Sequence, residues 1–187
     1  MAPSNSQRIV LLNRLVSQSM TRSSEKNAPI HSAKELLEII SARFRRDLTV
    51  EYFGSEDSND DKVRIARGLG HNFVRLRDFS FHESEGRSYA VLLVEFVDQS
   101  KRSFSVVDTR RFTGRDIEGA SEERGSTAAH VVVSLPSEEE YDDGSYRCAV
   151  EAVPQVSRKN VETLISRQLH RHAKEFDWSY TVEISTE

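Results

Sequence analysis

Apolar residues recur at helical spacing in two segments near the N-terminus. Between Gln7 and Met20 the apolar positions lie three or four residues apart, as on one face of a helix: Ile9, Leu12, Leu15 and Val16. Ser32 and Glu35 have the spacing of a capping box, in which each side chain accepts a hydrogen bond from the other residue's backbone amide. This box predicts a second helix, with the apolar face Leu36, Leu37, Ile39, Ile40 and Phe44. We therefore expect two helices within residues 1–47.

From residue 48 onward the pattern changes to the shorter period of β-strands. Apolar and polar residues alternate from Phe73 to Phe81, and further runs of β-branched and aromatic residues have strand length. The predicted strands are residues 48–53, 73–81, 89–97, 103–108, 128–135, 146–153 and 178–184. We expect two hairpins, 89–97 with 103–108 and 128–135 with 146–153, and a short helix at 62–66. Residues 110–125 have no period and predict a long loop.

The C-terminal part has the pattern of a strand, a helix and a second strand. Ser157 occupies an N-cap position, and Val156 and Val161 have the spacing of a hydrophobic staple. The helix is expected to run to about Glu175 before the strand 178–184. Short joints between these elements favour a right-handed crossover between parallel neighbouring strands, if both lie in one sheet.

Together these elements predict one α+β domain over residues 1–187. It has a helical N-terminal part, 1–47, and a sheet-based core, 48–187. The sheet is expected to be mixed and mainly antiparallel, with about five to seven strands and helices packed on it.

The composition indicates the cellular compartment of the protein more clearly than its function. The formal net charge of −4 is far from the basic balance of many nucleic-acid-binding proteins. Cys148 is the only cysteine, so no intramolecular disulfide can form, which favours a reducing compartment. The longest apolar run, Ala90 to Val94, is too short for a membrane span, and the N-terminus lacks the regions of a signal peptide. We therefore predict a soluble, cytoplasmic protein without membrane contact.

Arg167 and His172 are separated by four residues in the C-terminal helix. This spacing resembles the Arg-x4-His signature of the HEPN-type ribonucleases, which are helical bundles. Arginine is abundant here, so pairs with similar spacing recur along the chain, and this motif lies between two predicted strands. We predict that neither residue is catalytic and that His172 is a partly buried helix residue.

Three ionisable residues interrupt otherwise apolar strands: Glu95, His130 and Glu151. If their strands are neighbours, a histidine with two carboxylates could act in acid–base catalysis or hold a divalent metal, in a nuclease or another hydrolase. The alternative is that each residue lies on the solvated face of its strand. A PD-(D/E)xK nuclease is excluded because Val97 stands where that motif needs lysine. The sequence contains neither a complete dinucleotide-binding glycine motif nor a phosphate-binding loop, and we predict no cofactor and no metal.

Basic residues suggest a second kind of function, nucleic-acid binding. Local positive potential attracts phosphate even where the net charge is negative. The candidate residues lie in the 110–125 loop and the C-terminal helix: Arg110, Arg111, Arg158, Lys159, Arg167 and Arg171. A protein surface rich in salt bridges would have the same composition, so nucleic-acid binding and a salt-bridged surface are both possible interpretations.

The leading hypothesis is a non-catalytic binding or regulatory module that acts through protein–protein contacts. The amphipathic pattern of residues 7–20 provides an apolar face that packs on the protein's own sheet or, alternatively, docks on a partner or a second copy. The stretch from His130 to Arg158, HVVVSLPSEEEYDDGSYRCAVEAVPQVSR, resembles uncharacterised bacterial proteins of the mobile-element and anti-phage-defence kind. That resemblance implies a bacterial defence or counter-defence context and no particular chemistry.

Overall fold

A computed structural model describes residues 9–21, 31–54, 60–101, 103–108, 110, 113–120, 123–137, 145–173 and 178–186. These residues form three helices, α1 (Ala33–Phe44), α2 (Asp61–Gly68) and α3 (Arg158–Ala173). The first strands are β1 (Val10–Thr21), β2 (Val50–Tyr52), β3 (Phe73–Ser84) and β4 (Arg87–Asp98). They are followed by β5 (Ser103–Asp108), β6 (Thr113–Glu118), β7 (Gly125–Ser134), β8 (Ser145–Glu151) and β9 (Trp178–Thr186). The predicted α+β class is confirmed.

Seven of the strands form one antiparallel sheet in the order β2-β3-β4-β7-β8-β1-β9. The sheet curls around α3, which contacts β9 at one edge and β2 and β3 at the other. Helix α1 packs beside α3, and the two helices share an apolar core with the concave face of the sheet. Core side chains at this junction are Leu15, Leu37, Ile40, Val133, Tyr146, Ile165, Leu169 and Val182.

The start of α1 agrees with its predicted capping box. The Glu35 amide donates to Ser32 Oγ at 3.2 Å, and the Ser32 amide donates to a Glu35 carboxylate oxygen at 2.8 Å. The buried positions Leu36, Leu37 and Ile40 follow from the helical period that begins at this cap. The pattern of the sequence therefore determined both the start and the buried face of this helix.

The segment predicted as the first helix is a strand. β1 pairs with β8 on one side, from Val10 opposite Glu151 to Val16 opposite Ser145, and with β9 on the other. Its apolar residues fit a helix face and also a strand with both faces partly apolar, so the spacing does not discriminate. Antiparallel neighbours pair with its backbone on both sides from Asn13 to Val16 and on one side elsewhere, and this tertiary pairing overrides local propensity. The described residues of the N-terminal part thus form one strand, which is next to the edge strand β9, and one helix.

Three further details of the strands differ from the predictions. β4 pairs with β3 and β7, while β5 pairs with β6 in a separate two-stranded sheet. β6 lies within the segment 110–125, which was predicted to be a loop. That prediction was wrong because residues Thr113–Glu118 have no clear alternation of apolar and polar side chains. β8 and β9 are both antiparallel to β1, which lies between them, so the expected crossover between neighbouring strands is not found. The predicted hairpin partners β7 and β8 do pair.

Candidate functional site

His130 and Glu151 form a pair on neighbouring strands β7 and β8. His130 Nδ1 lies 2.9 Å from a Glu151 carboxylate oxygen, and the His130 backbone amide donates to the same oxygen at 3.0 Å. The imidazole is 48% exposed and the carboxylate is 14% exposed. A histidine held by a carboxylate in this way can exchange protons, but the contact also has the geometry of an ordinary cross-strand pair.

Glu95 takes part in a different cluster, between β3, β4 and β7. Its carboxylate accepts from Arg75 Nε at 2.7 Å, Arg77 Nη1 at 3.3 Å and Ser126 Oγ at 2.9 Å. Two guanidinium groups and a hydroxyl thus compensate a carboxylate that is only 5% exposed. Glu95 lies opposite Ala128 in the sheet, whereas His130 lies opposite Leu93, so Glu95 is one diagonal step from His130. The three candidate catalytic residues thus belong to two separate hydrogen-bonded groups. His130 pairs with Glu151, whereas Glu95 pairs with Arg75 and Arg77.

The candidate nucleic-acid-binding residues are distributed over different environments. Arg110, Arg158 and Lys159 are exposed, and Lys159 Nζ lies 3.3 Å from Glu162. Arg167 is 45% exposed and lies 3.7 Å from Glu51, while His172 on the same helix is partly buried. Arg171 is buried and pairs with Glu51, so its guanidinium is directed into the protein. Arg111 lies outside the described residues.

A buried polar cluster that the sequence analysis did not detect lies between β2 and α3. Glu51 is 1% exposed, and its two carboxylate oxygens accept from Nη1 and Nη2 of Arg171. Gln168, fully buried one turn earlier on α3, donates from Nε2 to the same carboxylate. This bidentate contact joins the edge strand β2 to the last turn of α3, the helix around which the sheet curls.

The cluster continues into α1 and α2 through Arg43, Asp61 and Arg64. Arg43 Nε donates to Gln168 Oε1 at 2.7 Å, and Arg43 Nη2 donates to both Asp61 oxygens at 3.0 Å. Arg64, only 2% exposed, donates to Asp61 and to the carbonyl oxygens of Val50 and Leu48. Burial raises the pKa of Asp61, but hydrogen bonds and charge from Arg64 and Arg43 outweigh it and hold that pKa below its usual value.

These contacts indicate that the cluster has a structural role, which is to hold four elements together. It connects α1, β2, α2 and α3, and each of its charged groups has an opposite charge within hydrogen-bonding distance. A sequence signal for it existed in Gln168 and Arg171, two polar residues three apart on a helix that is otherwise buried on that side. Their partner Glu51 could not be inferred, because 117 residues separate Glu51 from Gln168.

The longest run of exposed large apolar residues in the described part of the chain lies at the start of β1. Ile9, Val10, Leu11 and Leu12 are consecutive, and their exposed fractions are 67%, 51%, 49% and 67%. We call residues 9–12 the β1 apolar segment. Among the described residues, β9 pairs with β1 only from Asn13 onward, so Val10 to Leu12 pair with β8 alone. Within the described residues, the side of this segment away from β8 has no paired strand, and an open apolar edge of this kind can accept another strand.

Two further observations concern reactive groups and metals. Cys148 is buried in β8, and burial raises the pKa of its thiol to about 12, so it is not a reactive nucleophile in the folded protein. Within the described ranges, no group of three or more His, Cys, Asp or Glu side chains is arranged to hold a metal ion.

Fold and site together define an α+β protein with a sheet curled around a helix, an internal ion cluster and an exposed apolar edge. No protein-family model, curated protein or solved structure matches the chain. None of the helices in the described part of the chain has the length and apolar character needed to cross a membrane.

Proposed function

We propose that the chain is a non-catalytic binding protein that acts through protein–protein contacts, with the β1 apolar segment as its docking surface. The observation that supports this is the exposure of four consecutive aliphatic residues, Ile9 to Leu12, each about half exposed or more. Scattered exposed aliphatic residues are ordinary, whereas a contiguous run on a sheet edge favours association.

The geometry of the segment indicates the kind of partner. An extended, uncharged strand could pair with the β1 edge through backbone hydrogen bonds and cover its side chains, as in β-strand addition. A second copy of the chain offers such a strand in β1 itself, and antiparallel pairing of identical edges is symmetric. A partner protein with an apolar strand would bind in the same manner.

The alternative functions have less support from the geometry. For hydrolysis, Glu95 is held by Arg75 and Arg77, so only the His130–Glu151 pair is left as an acid–base group. For nucleic-acid binding, Arg171 is buried, which reduces the basic surface of α3 to Arg158, Lys159 and Arg167. A cytoplasmic location and a bacterial defence context belong to the proposal as predictions.

The test compares two charged substitutions at exposed leucines. Leu12→Asp places a charge in the β1 apolar segment, and Leu69→Asp is the matched control, since Leu69 is 75% exposed at the end of α2. Size-exclusion chromatography with light scattering measures self-association, and quantitative pull-down from native extract measures other partners. We expect Leu12→Asp to weaken association by about tenfold or more, because burial of one leucine contributes about 1.5–3 kcal/mol.

Circular dichroism and thermal unfolding must first show that both variants are folded. Loss of self-association identifies a second copy as the partner, whereas loss of one captured protein identifies a different partner. A wild-type chain that stays monomeric at high concentration, with the same captured proteins in all three forms, would contradict the proposal.

A further inference from the structure

We propose that the outer face of the sheet, on the side away from α1 and α3, binds single-stranded nucleic acid along one row of side chains. Leu15 on β1 and Tyr146 on β8 face the helices, so the residues next to them on each strand point to the outer face. The row crosses six strands and consists of His82, Tyr89, Ser134, Arg147, Arg14 and Ser185. We call it the outer row. It shares no residue with the β1 apolar segment or with α3, so this proposal does not depend on the protein contact.

Two arginines lie side by side in the outer row. Arg14 on β1 is directly opposite Arg147 on β8, and both side chains are exposed. Within the described residues, neither guanidinium forms a hydrogen bond or an ion pair. Glu183 on β9 lies one diagonal step from Arg14, opposite Val16, but forms no ion pair with it. Like charges directly opposite each other destabilise a sheet, so an external anion at this position would relieve a repulsion.

A second pair of arginines, on β3, shows how the fold otherwise neutralises neighbouring guanidinium groups. Arg75 and Arg77 donate to the two carboxylate oxygens of Glu95 at 2.7 and 3.3 Å. The fold provides a carboxylate for that pair and none for the pair in the outer row. We therefore infer that the anion for the outer row comes from a ligand. Guanidinium groups that lie side by side are suited to phosphate oxygens, because each can donate two parallel hydrogen bonds.

The other end of the outer row has two ring side chains. His82 on β3 is directly opposite Tyr89 on β4, and Tyr89 is in turn opposite Ser134 on β7. The imidazole is exposed and the phenol is partly exposed. The pairing of Val133 with Cys148 brings Ser134 next to the arginine pair, so rings and cations belong to one row. Such rings stack on unpaired bases, whereas an acidic peptide has no group that requires them.

The length and charge of the outer row fit an extended polyanion. Strands in a sheet lie about 4.8 Å apart, so six strands give the row a length of roughly 24 Å, enough for several nucleotides. None of its six side chains is acidic, and two are guanidinium groups. This local potential attracts phosphate although the net charge of the chain is −4. Rings on a protein surface reach bases that are unpaired, so the ligand is single-stranded.

Fluorescence anisotropy with three labelled probes tests the chemistry of the ligand on the full chain at about 50 mM NaCl. The probes are oligothymidylate, an abasic oligomer with the same number of phosphates, and an oligoglutamate peptide of equal charge. We expect oligothymidylate to bind most tightly. The abasic oligomer should bind about fivefold or more weakly, because it has no base to stack. Oligoglutamate should bind about tenfold or more weakly, because it offers neither phosphates nor bases.

Arginine variants locate the phosphate contacts. Arg14→Gln/Arg147→Gln should weaken oligothymidylate binding about tenfold or more, and the slope of log affinity against log salt should fall by about 1.4, since each phosphate contact contributes about 0.7. Arg45→Gln/Arg46→Gln is the matched control at two exposed arginines after α1, and it should change affinity by less than about twofold. Because Arg14→Gln/Arg147→Gln removes a repulsion, its melting temperature should equal or exceed that of the wild type.

Tyr89 variants test stacking independently of charge. Tyr89→Leu should weaken oligothymidylate binding about fivefold or more and leave the affinity for the abasic oligomer unchanged. Tyr89→Phe retains a ring and should bind oligothymidylate as the wild type does. Circular dichroism must show that each variant is folded.

Several results would overturn the inference. Failure of oligothymidylate to bind, or unchanged binding by folded Arg14→Gln/Arg147→Gln, would remove the outer row as a nucleic-acid site. Oligoglutamate binding as tightly as oligothymidylate would identify an acidic protein segment as the ligand instead. A lower melting temperature of the arginine variant with unchanged affinity would show that the pair has a structural role. If that variant does not fold, the Tyr89 variants decide, because equal loss of both oligomers in Tyr89→Leu would contradict stacking.

Discussion

Replacing Glu51 by leucine should destabilise the protein more than any substitution at a surface charge. Glu51 is 1% exposed and accepts from Arg171 and Gln168. The variant leaves the guanidinium of Arg171, 4% exposed, without its bidentate partner. Removing one member of a buried ion pair costs about 3–5 kcal/mol, because an uncompensated charge stays buried. Since total stability is about 5–15 kcal/mol, this is a large fraction of it.

The double variant Glu51→Leu/Arg171→Met tests the reason for this loss. With both charges replaced by apolar side chains of similar volume, the desolvation cost disappears, and the free energy of unfolding should return to within about 1–2 kcal/mol of the wild type. A surface pair is the control. Lys101 Nζ lies 3.9 Å from Asp98 with the lysine half exposed, so Lys101→Met should change stability by less than about 0.5 kcal/mol.

Urea unfolding followed by circular dichroism measures all four proteins, with free energies compared at a constant m-value. The reasoning is refuted if Glu51→Leu loses less than about 1 kcal/mol, which would mean that water reaches the cluster. It is also refuted if the double variant is as unstable as the single one. In that case the loss would come from packing rather than from an unpaired charge.

Two further predictions use the pKa shifts. Because Arg64 and Arg43 lower the pKa of Asp61 below its ordinary 3.8, its stabilising contribution is present above that value and is lost as the pH falls through the lower folded pKa. Asp61→Asn should therefore be less stable than the wild type at neutral pH by urea unfolding, and the difference should shrink below about pH 4; a constant difference would contradict the linkage. Since burial raises the pKa of Cys148 to about 12, its thiol should not react with iodoacetamide at pH 8 in the folded protein and should react once urea unfolds it. Mass spectrometry measures the labelling, and rapid labelling of the folded chain would show that the thiol is accessible.

Local patterns predicted those elements whose structure depends mainly on neighbouring residues. The Ser32–Glu35 box and the helical period after it located α1, since these contacts span three or four positions. Alternation located β3, and β7 and β8 were recognised as partners. β1 was assigned as a helix because its spacing suits both structures, and the choice depends on β8 and β9, which lie far along the chain.

The same division applies to the candidate sites. The sequence alone identified His130, Glu95 and Glu151 as unusual polar residues in strands, and it showed that Cys148 has no disulfide partner. Only the tertiary structure separated Glu95 from the His130–Glu151 pair, buried Arg171 against Glu51 and left the β1 apolar segment exposed. Periodicity shows which face of a helix or strand is apolar. Which residue pairs with a buried charge, and which element covers an apolar face, depend on the order of the strands in the sheet. That order depends on contacts between residues that are far apart in the sequence, such as Arg171 and Glu51, which are 120 positions apart.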